Sequence, residues 1–126
     1  MQWDWTTGNL ERGLHCYRSR AFFEAHEHWE AVWLACSEPD KTFLQSLIQV
    51  SAAFHHWQRE ERLGTISLLH RALRRLENYP AVYADIAVES LRSEIRAWLA
   101  ALDANQDCAT RAIPPILCSP ANTNQP

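Results

Sequence analysis

The sequence predicts an all-α fold, an antiparallel bundle of about five helices with the second and third at its centre. Three observations predict it. Apolar residues recur three and four apart in successive segments, which is the repeat of a helix that buries one face. Three glycines and six prolines leave little of the punctuation that a many-stranded fold needs. No two alternating segments are joined by a hairpin signal, and no repeat of solenoid period is present. With 126 residues, 47% hydrophobic and 21% charged, the chain suffices for one domain with a real core. The expected division is a helical domain over residues 1–104 and a flexible tail over 105–126.

Asn9 can cap a first helix running to Arg20, in which Leu10, Leu14 and Tyr17 fall on one narrow face. Ser19 precedes a second helix whose stripe of Phe22, Ala25, His26, Trp29, Val32, Trp33 and Cys36 is strongly aromatic. Ser37-Glu38-Pro39 supplies a break and a first-turn proline for a third helix ending near Arg59. So short a link makes the second and third helices antiparallel neighbours. From Thr42 to Gln58 there is no Asp, Glu, Lys or Arg, so the third helix lacks an ordinary solvent face and belongs inside. That run is shorter than a bilayer span and carries Gln45, Ser46, Gln49, Ser51, His55 and His56, which excludes a membrane helix.

A fourth helix repeats Ile66, Leu69, Leu73 and Leu76 and stops before Pro80. A fifth, from about Asp85, repeats Val88, Leu91, Ile95, Trp98 and Leu102, with Asp85 and Glu89 suited to its N-terminus. Beyond Asn105 the Pro- and Asn-rich composition has too little apolar surface to repay ordering, hence the expected tail. Trp3 and Trp5 can dock an N-terminal arm on the core or on a partner, and docking on the core is the leading expectation.

The formal charge of −3 gives no global attraction for nucleic acid. Arg71, Arg74 and Arg75 with Arg62 and His70 make one side of the fourth helix basic, which reads first as a solvated face. RNA or phosphate recognition there ranks last among the functions considered. The start of the chain has neither a basic segment nor an apolar run of secretory type, so the expected location is cytoplasmic. Cys16, Cys36, Cys108 and Cys118 form no C-x-x-C pair, and a disulfide framework is not expected.

The chemistry-bearing segment is Phe22 to Trp33, FFEAHEHWEAVW. On a helix His26 lies at the edge of the aromatic stripe, Glu30 stands one turn beyond it, and Glu27 is further round the same flank. An imidazole and a carboxylate at i and i+4 can share a divalent ion if neighbouring helices supply further ligands. The third helix offers Gln45, Gln49, Ala52 and His56 along one line. Counted from the loop, Gln49 comes level with His26 and Gln45 with Glu30, while His56 lies about 10 Å further on and joins only if the helices tilt. The order of residues is not H-E-x-x-H, so zincin chemistry is unsupported. The same cluster also reads as a packed, hydrogen-bonded core histidine whose neighbours fix helix register.

Three blocks carry a resemblance: FFEAHEHWEAVW at Phe22 to Trp33, FLQSLIQ at Phe43 to Gln49, and AAFHH at Ala52 to His56 followed by Gly64. From about Gly13 to Leu76 the chain resembles the bacterial, archaeal and plastid family catalogued as domain of unknown function 309. The first block is specific and the others support it. The resemblance implies an antiparallel all-α bundle and carries the label of predicted metal-dependent hydrolase. The family's H-E-x-W-E falls on His26, Glu27, Trp29 and Glu30, its glutamines on Gln45 and Gln49, and its later histidine on His56. Departures are Ser46 and Arg20 where glycine is usual, and Arg18 and Glu61 where asparagine is common.

The leading functional expectation is therefore a metal-assisted hydrolase acting on an unidentified small molecule. His26, Glu30 and His56 would ligate a divalent ion of unspecified identity, Glu27 would serve as ligand or general base, and Gln45 and Gln49 would hold water or substrate. The competing expectation is a non-enzymatic interaction module, or a homo-oligomer, in which this cluster is a structural polar network.

Overall fold

The computed structural model describes residues 1–119. Among them are five helices, α1 (Gly8–Arg18), α2 (Phe22–Trp33), α3 (Asp40–Gln58), α4 (Arg62–Leu76) and α5 (Val88–Asp103). Each packs on the next in sequence, and the broadest interface is α3 with α4. The all-α bundle read from the apolar periodicity is the observed architecture.

Ten of the 19 residues of α3 are buried, among them Phe43, Leu47, Val50 and Phe54, which accounts for its lack of charge. Its small polar residues are satisfied inside: the Ser51 hydroxyl donates to Phe22 O at 2.7 Å and the Ser46 hydroxyl to Phe43 O at 2.6 Å. By contrast α2 buries only Phe22, Ala25 and Trp29. The centre of the bundle is α3, packed between α2 and α4 with its broader interface on α4. In the aromatic stripe expected for α2, Val32, Trp33 and Cys36 are only partly buried against the core.

Where α1 crosses α2, Gly13 lets the fully buried Trp29 indole lie directly against the α1 backbone. The indole N–H donates to Leu10 O at 3.2 Å. Asn9 is inside α1 and does not cap it; its side-chain oxygen meets Arg12 and His28 instead. The helix closes through Arg20 at φ 64, with Ala21 N donating to Cys16 O at 2.8 Å. That left-handed conformation is why glycine suits this position. At the end of α3, Glu60 plays the same part at φ 60.

Between α4 and α5 the chain forms an unexpected antiparallel hairpin, β1 (Val82–Tyr83) and β2 (Ile86–Ala87), and α5 begins after it. Its central residues, Ala84 at φ 54 and Asp85 at φ 63, both lie in the left-handed region that a two-residue hairpin turn requires. Neither is glycine, so the usual signal is missing. Arg92, 9% exposed, reaches back from α5 and donates through Nη1 to Leu76 O and Tyr79 O, each at 2.7 Å, while Glu89 pairs with it on the outer side. Trp5 is buried, and its indole donates to Ala84 O at 2.8 Å, so the N-terminal arm docks as expected.

The expected free tail is the clearest departure. Residues 106–119 form a strap across the bundle, with Cys108 and Ile116 buried. Trp98 donates to Ala112 O at 2.8 Å, the Tyr17 hydroxyl to Pro114 O at 2.6 Å, and Arg18 to Ile116 O at 3.0 Å. Leu117 O accepts from Ala87 N, and Ser119 N donates to Asp85 O. Donors on α1, α5 and β2 therefore hold a segment too poor in apolar residues to announce itself by periodicity. The remainder of the expected tail, 120–126, lies outside the described residues. No helix among the described residues is long and apolar enough to cross a membrane.

Candidate functional site

The seam between α2 and α3 holds the residues singled out above, but at two separate places. Burial of Phe22, Ala25 and Trp29 turns His26 to the flank of α2, where its Nε2 stands 4.0 Å from Glu30 Oε2. Glu27 and Glu30 are exposed. His26 Nδ1 is buried without a hydrogen-bond partner.

Next to it a cavity of about 140 Å³ is lined by Phe23, His26, Ala52, His55 and His56. Phe23 is 48% exposed at its lip and meets both His26, ring centroids 6.0 Å apart, and His55 at 5.5 Å. His56 does share this space with His26, as a tilt of the helices would allow. Its Nδ1 is 2.6 Å from Glu61 Oε1, and that hydrogen bond holds the Glu61 carboxyl below its ordinary range. The ring also packs on Gly64, where a methyl group would come within 2.9 Å of Nδ1.

Gln49 lies three residues before Ala52 on the same line of α3, 7% exposed, and its Oε1 finds no donor among the described residues. Gln45 is elsewhere. It lines a second cavity of about 160 Å³ with Trp33, Glu38, Lys41, Thr42 and Arg75, at the opposite end of α2. The sequence reading missed Phe23 and His55, whose signal was their placement three residues before His26 and one before His56. It also missed the second cavity, because Arg75 was read as part of a solvated face.

A resident catalytic metal of the expected type needs three protein ligands and an open position. Among the described residues no group of three or more His, Cys, Asp or Glu side chains is arranged to hold a metal ion. His26 and Glu30 form a loose pair, and His56 Nδ1 is engaged by Glu61. The donor set does not fit such a metal.

What the arrangement offers is a small, largely apolar recess with imidazoles around it and two buried polar atoms, His26 Nδ1 and Gln49 Oε1, on its two helices. No curated protein matches the chain. The family model described as domain of unknown function (DUF309) matches residues 10–68, which run from α1 into α4 and include the α2–α3 seam. Over that segment, a little under half of the chain, the protein is similar to the DUF309 family.

Proposed function

We propose that this protein is a non-enzymatic binding module whose recognition site is the recess between α2 and α3. The observation that carries this reading is the cavity framed by Phe23, His26, Ala52, His55 and His56, with a half-exposed phenyl ring at its lip. A volume near 140 Å³ is about that known to accept one benzene-sized group. Recognition sites of this kind combine apolar walls with a few placed polar groups. The occupant is an apolar group of that size, presented by a partner, with the imidazoles of His26, His55 and His56 around it.

The hydrolase reading asks for more than this geometry supplies. Glu27, its general base, is exposed on α2, and Gln45 belongs to the other cavity. A base must come within hydrogen-bond reach of the proton that it takes, and a site must hold its groups together.

Phenol titrated into isotope-labelled protein tests the proposal. Saturable shifts confined to Phe23, His26, Ala52, His55 and His56, lost when Ala52→Leu fills the recess, are expected. Shifts scattered over the surface, or unchanged in Ala52→Leu, would overturn it. So would stoichiometric zinc, manganese, iron or nickel together with hydrolysis of ester or phosphoester substrates that disappears in His26→Gln.

A further inference from the structure

The second cavity of the seam is chemically unlike the first. It lies where the end of α2, the first turn of α3 and the last turn of α4 meet, and its walls are Trp33, Glu38, Lys41, Thr42, Gln45 and Arg75. Two of these are cations from different helices. Lys41 lies across the Trp33 indole, with Nζ 4.4 Å from the ring centroid. Among the described residues neither Lys41 nor Arg75 has a carboxylate at ion-pair distance.

The one acid of the cavity is already engaged. Glu38 accepts from Thr42 N through Oε1 and from the Thr42 hydroxyl through Oε2, each at 2.9 Å, and so caps α3 rather than matching the cations. The third donor is Trp33 itself. Its indole nitrogen is buried and has no acceptor, and an indole N–H can do nothing but donate. A buried donor without an acceptor costs free energy that a ligand acceptor recovers. Gln45 adds an amide on the facing side of α3.

We propose that this cavity binds a small oxyanion group, such as a phosphate or carboxylate carried on a small molecule. Lys41 and Arg75 supply charge from two sides, and the oxyanion gives the Trp33 N–H its acceptor. The site is independent of the recess at His26, and either can fail without the other.

The test follows the Trp33 indole N–H resonance, assigned with Trp33→Phe, in the full chain at constant ionic strength. Inorganic phosphate, glycerol phosphate and acetate are the probes. A saturable shift with at least one of them is expected. Lys41→Gln and Arg75→Gln should each weaken binding about tenfold or more, since each removes a charge-assisted hydrogen bond. Arg74→Gln, on an exposed neighbour in α4, should leave it unchanged. Trp33→Phe keeps a ring beneath Lys41 but removes the donor, and binding followed by calorimetry should weaken in it too. This variant decides the matter if Lys41→Gln melts early. Shifts that drift without saturation for all three probes, or an equal loss in Arg74→Gln, would overturn the proposal.

Discussion

Gly13→Ala sets helix propensity against packing in the middle of α1. On propensity alone the change should stabilise the protein by about 1 kcal/mol, because glycine is the poorer helix former. The packing opposes this. A methyl group at position 13 would overlap Nε1 and Cδ1 of Trp29 and stand 2.7 Å from its Cε2. Trp29 is fully buried and cannot swing aside into solvent. Its indole must move within a close-packed core, at a cost of about 1–3 kcal/mol for overpacking. Movement also breaks the bond to Leu10 O, which strands a buried pair for about 1–3 kcal/mol more. The balance is a loss of about 3 kcal/mol, or a fall in melting midpoint of about 10 °C for a domain of this size. Thermal and urea unfolding followed by circular dichroism measure it. In a double-mutant cycle the penalty should shrink by at least about 1 kcal/mol on a Trp29→Phe background, because the nitrogen and the second ring are gone. Gly64→Ala is the internal control, since the ring it meets belongs to His56, which is only partly buried and can yield. A Gly13→Ala protein as stable as the wild type, or more so, would refute the reasoning.

Three further outcomes are expected. Truncation after Asn105 removes the buried Cys108 and Ile116 and leaves the Tyr17 hydroxyl and Trp98 indole without their acceptors, so the melting midpoint should drop by about 10 °C or more; an unchanged midpoint would show that the strap contributes nothing. Arg92→Met should cost about 2–4 kcal/mol in urea unfolding, because it strands Leu76 O and Tyr79 O, and Arg92→Lys should restore only part, since an ammonium cannot reproduce the guanidinium fork; full recovery in the lysine variant would contradict this. Burial raises the pKa of Asp40, but hydrogen bonds from Tyr83 and Trp3 outweigh it and hold the carboxyl below its ordinary 3.8. A lowered folded-state value contributes stability that is complete above the unfolded value and is lost as pH falls through the folded one. Wild type should therefore lose more stability than Asp40→Asn on acidification below about pH 4, and parallel pH profiles of unfolding free energy would count against the assignment.

Periodicity reads which face a helix buries, and that much was legible here. The uncharged run of α3 and the spacing of Leu69, Leu76, Leu91 and Leu102 fall on buried positions, and the i, i+4 relation of His26 and Glu30 brings them to 4.0 Å. Periodicity does not read how far one helix slides along another. The count from the loop set Gln45 level with Glu30, yet Gln45 shares its cavity with Trp33, because the path of Leu34–Pro39 fixes where α3 starts relative to α2. Helix crossing likewise decided that His56 meets the cavity of His26 despite its distance along the axis. The hairpin and the strap were hidden for a different reason. Each is held by backbone groups, Ala84 and Asp85 through their φ angles and Ala112 to Ile116 through carbonyl acceptors, and backbone hydrogen bonding carries no side-chain signature.

The strap also bears on the order in which the chain can fold. Its bonds join Tyr17 to Pro114 and Arg18 to Ile116, partners 97 and 98 positions apart. During synthesis α1 to α4 leave the ribosome, pack locally and wait with the Tyr17 side of α1 uncovered. Only when residues 112–117 emerge can that side close. Contacts across such a separation form late, since the entropy of closing the loop is lost before the contact repays it. The first helix is thus among the earliest parts of the molecule to be made and among the last to be finished, and until then the nascent bundle keeps an apolar edge open to chaperones or to a neighbouring chain.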